Sequence, residues 1–269
     1  MHLAFLLIYF ILCGISCARN PYRHTNKMQK LQIKRLVKEL KTLPSPDSLQ
    51  APRFWTGTTN FGLRKPNFVI IHHTAQKSCD QTLRTFILPR TQVSAHYVIC
   101  KDGTVHHMLN DYFRAWHGGV SLWGNSSDIN SASIGIELDN DGFEIFPEPQ
   151  LNSLLRVLNS LKLKYQIPID NFLGHADIAP TRKVDPNIFF PWKMLAERGF
   201  GNWYDDTSGI FVPPDFDNTT ALRIIGYSIK DTTAAIGAFK RHFMQDSIRI
   251  LNDHDKKVLY LLSEKIKNQ

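Results

Sequence analysis

The sequence predicts an α/β (α+β) fold: a mixed central β-sheet flanked by helices, followed by a small C-terminal helical module. Three observations predict it. Short apolar runs of strand type, Phe68 to His73 and Ser133 to Leu138, alternate irregularly with segments whose apolar residues recur at helical spacing. The turn Lys101-Asp102-Gly103-Thr104 links two strand-type runs as a hairpin, so the sheet is not purely parallel. Beyond residue 217 only helical patterns remain, at Ala221 to Tyr227, Ala234 to Met244 and His254 to Ile266. The 269 residues suffice for one sizeable domain and one small unit.

Taken in order, residues 1–17 read as an export signal. Leu3 to Leu12 form an apolar run of signal-core length, too short to span a bilayer comfortably. Gly14, Ile15 and Ser16 follow, and then Cys17, placed as the lipidated cysteine of a bacterial lipoprotein would be. An ordinary cleaved signal and an uncleaved anchor are the other readings. The expected location is the periplasm or cell envelope, including an outer-membrane lipoprotein.

Residues 18–59 read as a basic linker with a short helix, because Leu31, Ile33, Leu36, Val37, Leu40 and Leu43 fall roughly on one face. Lys34, Arg35, Lys38 and Lys41 are its solvated face, or part of a spacer from membrane to domain. The main domain is placed at 60–201. Its strands are Phe68 to His73, Ala95 to Cys100, Val105 to Leu109 and Ser133 to Leu138. Its main helix carries Leu151, Leu154, Leu155, Leu158, Leu161 and Tyr165. Residues 202–217, rich in Gly, Pro, Asp and aromatics, read as a linker, and 218–269 as the helical module.

The formal charge of +8 and pI of about 9.3 favour anionic partners such as lipid or bacterial wall. No arginine-rich run or RNA-binding signature accompanies the charge, so nucleic acid is set aside. Of four cysteines, Cys13 and Cys17 lie in the signal. Cys79 and Cys100 are read as two separate thiols, with a disulfide as the alternative that export would permit.

Three segments carry the candidate chemistry: Ile71-His72-His73-Thr74, Ser133 to Leu138, and Gly174-His175-Ala176-Asp177 through Asp185-Pro186. On a strand, alternate side chains face opposite sides, so His72 and His73 cannot both reach one metal. Glu137 points away from Ile134, Ile136 and Leu138, on the side of Gly135. It is either a buried functional acid or a plain exposed residue. If Val184 is extended, Lys183 and Asp185 face the same way. Two His and one Asp make a catalytic zinc set.

These segments resemble the zinc-dependent N-acetylmuramoyl-L-alanine amidases of the AmpD and AmiD type, and more distantly phage amidases and animal peptidoglycan recognition proteins. The resemblance covers roughly residues 60 to 200, and Gly174 to Pro186 is its most specific part. It implies one zinc per chain held by His72, His175 and Asp185, with Glu137 and Lys183 catalytic. Ser94-Ala95-His96-Tyr97 and Ala115-Trp116-His117-Gly118-Gly119 are similar to stretches that line the family's substrate groove, which makes His96, Trp116 and His117 substrate-contact candidates. The implied substrate is peptidoglycan or its muropeptides, cut between N-acetylmuramic acid and L-alanine. A non-catalytic recognition module and a secreted lytic effector are the rival readings. His73, His106, His107, His242 and His254 are expected to be structural or surface residues. The C-terminal helices resemble the small peptidoglycan-binding-like module of AmiD-type enzymes.

Overall fold

The computed structural model describes residues 20–41, 60, 62–63 and 65–268. The expected signal, with Cys13 and Cys17, lies outside the described residues. The chain divides into two compact units, residues 1–60 and 61–269. In the first, helix α1 spans Arg23–Leu40, beginning eight residues before the apolar positions that predicted it, and none of its residues is buried. Among the described residues no helix is long and apolar enough to cross a membrane.

The second unit contains, in chain order, β1 (Phe68–His73), α2 (Cys79–Ile87), β2 (Tyr97–Ile99), β3 (Val105–His107), α3 (Ile129–Ala132), β4 (Ser133–Leu138), α4 (Glu148–Tyr165), β5 (Phe172–Gly174), α5 (His175–Ile178) and α6 (Trp192–Glu197). Helices α7 (Asn218–Ile225), α8 (Thr232–Phe243) and α9 (Asp253–Lys267) complete it. The sheet order is β3-β2-β4-β1-β5. The β2–β3 hairpin is antiparallel and every other pair is parallel, which gives the expected mixed sheet.

Strands β1 and β4 are buried along their whole length, as central strands covered on both faces must be. Val69, Ile71, Ile134, Ile136 and Leu138 form the main core with Leu154, Leu158 and Leu161 of α4 and with Phe172, Phe190 and Trp192. The opposite face carries Phe68 and Ile70 against Ile129, Ile178 and Ala179. The parallel register pairs Phe68 with Ser133, Ile70 with Gly135 and His72 with Glu137. Since side chains alternate, His72 and Glu137 emerge side by side on this second face, and Ser133 and Gly135 lie on it below them.

Cys79 and Cys100 form a disulfide that ties the start of α2 to the end of β2, with Cα atoms 5.4 Å apart. The reading of two separate thiols is thereby corrected. The fold brings the two cysteines together across 21 positions of sequence.

Helices α7 to α9 form their own apolar cluster around Leu222, Phe239, Val258 and Leu259. They also meet the sheet-bearing part through a buried polar knot. Asp177 of α5 accepts hydrogen bonds from Gly174 N (2.7 Å), Tyr227 Oη (2.9 Å) and His242 Nδ1 (2.8 Å), and the His242 ring stacks on Trp192.

Candidate active site

Three elements deliver three ligand atoms to one point. β1 ends on His72, β5 runs directly into α5 and its first residue His175, and the chain returns after α5 to place Asp185. Its carbonyl accepts from Ala176 N at 2.8 Å, which pins the return to the helix it follows. His72 Nδ1 lies 2.9 Å from His175 Nδ1 and 3.1 Å from Asp185 Oδ2, and His175 Nδ1 lies 3.0 Å from the same oxygen. All three residues are buried.

The hydrogen bonds behind these atoms decide whether the trio suits a cation. His175 Nε2 faces the Gly118 carbonyl oxygen at 3.1 Å, an acceptor that calls for the proton on Nε2 and leaves Nδ1 to the ligand set. For His72 the logic runs through a relay. Ser133 Oγ donates to the Ile129 carbonyl at 2.6 Å, which leaves it to accept from His117 Nε2 at 3.1 Å. His117 Nδ1 is then an acceptor, and it takes the proton of His72 Nε2 at 3.1 Å. His72 Nδ1 is therefore also bare.

Two lone pairs and a carboxylate oxygen thus converge with no proton among them, an arrangement that repels itself unless a cation sits in its midst. A tetrahedral zinc with bonds of about 2.0–2.2 Å holds its ligand atoms roughly 3.3–3.6 Å apart, a few tenths wider than the separations here. The donor set fits the metal.

Electrostatics agree. Burial and the neighbouring His175 hold His72 down to about 4, against the pull of Asp185. Burial also sets His117 well below the ordinary histidine value. Burial works against the charge of Asp185, and without a cation only protons on the two imidazole nitrogens facing it keep its carboxyl well below the usual carboxylate range; a bound cation takes the place of those protons. At neutral pH the site presents neutral His72 and an ionised Asp185, the forms that ligate.

Glu137 is buried beside this trio, in register with His72. Its Oε2 has no hydrogen-bond partner. Burial, with Asp185 adding its negative charge, pushes the Glu137 carboxyl up to about 8, against the pull of Lys183. The half-buried Lys183 is close enough for its charge to act on Glu137 and His72 alike. The five residues expected to supply ligands and catalysis therefore lie together.

The substrate-contact candidates separate. Trp116 is exposed, a position open to a ligand. His96 is wholly buried, accepts from Gly135 N at 3.0 Å and uses Nε2 on the Phe113 carbonyl. His117 is buried over Gly135, where any side chain would run into its ring. Both imidazoles bond to protein partners: His117 backs His72, and His96 holds the backbone of Gly135 and Phe113. His73 lies buried on the other face of the sheet, and His107 stacks on Tyr97.

Sequence reasoning missed Ser133, Asn130 and Arg182. Asn130 Oδ1 accepts from the backbone N–H of His117 and of Gly118, and Arg182 donates to the carbonyls of Gly118 and Val120 at 2.7 Å. Together they hold the loop that carries His117. The available signal was Gly135, a glycine inside a buried strand, which marks a close approach by another group.

Comparison with known proteins agrees with this geometry. The family model described as N-acetylmuramoyl-L-alanine amidase matches residues 62–188. The N-acetylmuramoyl-L-alanine amidase AmiD of Escherichia coli is 32% identical over 206 residues, covering 65% of this chain and 74% of AmiD. A solved AmiD structure, in complex with the substrate anhydro-N-acetylmuramic acid-L-Ala-D-γ-Glu-L-Lys, superposes with a TM-score of 0.68 and 27% identity over 78% of this chain and 93% of its own. AmpDh3 of Pseudomonas aeruginosa gives a TM-score of 0.70 and 27% identity, covering 83% of this chain and 98% of that one. A site built for a cation beside an unpaired acid, in a fold shared over four-fifths of the chain, leads to one conclusion: the protein belongs to the N-acetylmuramoyl-L-alanine amidase family.

Proposed function

We propose that this chain hydrolyses the amide bond between N-acetylmuramic acid and L-alanine in peptidoglycan or muropeptides, with one zinc held by His72, His175 and Asp185. The observation that carries the reading is the convergence of three unprotonated ligand atoms beside the unpartnered Oε2 of Glu137. When bound, zinc supplies a Lewis acid that polarises a carbonyl oxygen and acidifies water.

The protein's own residues do the rest. Glu137 takes a proton from the attacking water at Oε2 and passes it to the departing L-alanine nitrogen. Its raised proton affinity suits the second task, and the cation in the neighbouring ligand set favours the carboxylate needed for the first. Lys183 stabilises the negative charge that develops on the carbonyl oxygen. The exposed Trp116 offers an apolar face to the substrate. Export to the cell envelope, with Cys17 as a lipid anchor, places the enzyme at its substrate.

The test is digestion of intact murein and of anhydro-muropeptides with the zinc-loaded chain, with products identified by mass spectrometry. The expected peptides begin at L-alanine, and a chelator abolishes their release. Cleavage between sugars or within the peptide, or undiminished turnover by metal-free protein, overturns the proposal.

A further inference from the structure

The positive charge of this chain is not spread over its surface. Between Asn20 and Lys41 stand Arg23, Lys27, Lys30, Lys34, Arg35, Lys38 and Lys41, against the single acid Glu39. That one segment carries six of the eight net positive charges of the whole chain, so the catalytic unit is close to neutral.

Within α1 the charges are ordered. At 3.6 residues per turn, Arg23, Lys27, Lys30, Lys34, Lys38 and Lys41 fall within an arc of roughly 80°. Ile33, Leu36, Val37 and Leu40 occupy the adjoining arc of roughly 100°, while the exposed Leu31 and Met28 lie beyond the other edge of the stripe. The one basic residue between these ends that is off the stripe, Arg35, lies on the far side, where it pairs with Glu39 at 3.1 Å. No residue of the helix is buried, and Leu40 is 83% exposed. A solvated helix has no need to gather its lysines on one side of an apolar strip, and such ordering is the mark of a helix that lies in a bilayer surface.

We propose that α1 binds the surface of an anionic membrane, its apolar strip at the headgroup boundary and its lysine stripe on the lipid phosphates. Charge complementarity selects the anionic surface, and the apolar strip selects lipid over a soluble polyanion. Arg23 is only six residues beyond Cys17, so a leader that reaches the membrane brings α1 within reach of the same leaflet. This reading is independent of the catalytic proposal.

The experiment is co-sedimentation of the full chain with vesicles of phosphatidylcholine alone and of phosphatidylcholine mixed with phosphatidylglycerol. The leader's apolar run gives no preference between them. A basic residue near an anionic surface contributes about fivefold in binding, so Lys27→Gln/Lys34→Gln/Lys38→Gln is expected to weaken binding to the anionic vesicles on the order of 100-fold and to leave binding to neutral ones unchanged. Ile33→Ser/Leu40→Ser is expected to weaken anionic binding as well. An unchanged melting temperature in both variants confirms that they are folded. Equal binding of the wild type to both vesicles overturns the proposal, as does an undiminished preference in the lysine variant. Undiminished binding by the Ile33/Leu40 variant, or complete displacement from vesicles by duplex DNA at equal charge concentration, overturns the assignment to lipid.

Discussion

Replacing His117 with Phe tests the relay behind the metal ligands. The ring keeps its approximate size over Gly135, but the acceptor facing His72 Nε2 is lost. His72 is 1% exposed and the Phe ring fills the place of the imidazole, so bulk solvent does not replace the lost acceptor. In the form that ligates, His72 then carries a buried N–H without a partner, which costs about 1–3 kcal/mol. The alternative is for the ring to move its proton to Nδ1, facing Asp185, and this closes the ligand position. Either way zinc binding weakens by roughly 5- to 150-fold, since each 1.4 kcal/mol is a factor of ten. The range agrees with the roughly 10–100-fold effects typical of groups hydrogen-bonded to metal ligands. The measurement is zinc affinity by competition with a chromophoric chelator, with circular dichroism of the metal-free protein as the check on folding. His117→Gln, which restores an acceptor, is expected to recover part of the loss. Ser133→Ala is expected to lose less, because His117 remains but no longer has the acceptor that keeps its proton on Nε2. If His117→Phe binds zinc as the wild type does while His72→Ala does not, the relay has no part in ligation.

Three further outcomes follow from the same geometry. Glu137→Gln retains zinc and loses about 10²–10⁴-fold in turnover. In the metal-free state the Glu137 carboxyl binds its proton more tightly folded than unfolded. Its stabilising contribution is complete below its ordinary value of 4.5 and is lost as pH rises towards about 8. The Gln variant should therefore gain thermal stability relative to the wild type across that window, and a difference independent of pH would contradict this. Cys100→Ser opens a disulfide spanning 21 positions, worth about 3 kcal/mol by loop entropy, and should lower the melting temperature by roughly 6–12 °C. Asp177→Ala leaves the Gly174, Tyr227 and His242 donors without their buried acceptor and loosens the start of α5 that carries His175. Both stability and zinc affinity should fall, and a loss of stability with zinc affinity intact would show that α5 is held by other means.

Much of the site was legible because strand alternation is a local rule. It set His72 apart from His73 and put Glu137 on the Gly135 side, and the parallel register then made neighbours of His72 and Glu137. His175 and Asp185 came from resemblance over a continuous stretch, since spacing alone could not place them. What failed was what depends on chain return. The loop carrying His117 folds back over β4, and nothing in its own periodicity tells that its imidazole ends 3.1 Å from His72. The disulfide was misjudged for a similar reason: sequence gives 21 positions between the sulfurs and no Cα distance. The basic linker helix was legible as such, and the count along the sequence shows that it carries most of the chain's +8 outside the catalytic unit.

The Asp177 knot bears on how such a chain can be inherited. Its carboxylate lies two residues from a ligand, and two of its three partners, Tyr227 and His242, stand on the far side of the Gly- and Pro-rich connection. A recombination that exchanged the C-terminal helices for another sequence would leave a buried carboxyl group without two of its partners next to the proposed metal site unless the newcomer also supplied a hydroxyl and an imidazole at those points. A gene fusion that adds a wall-binding segment to this enzyme has to join it beyond Lys267 or before β1, where no such bond is cut.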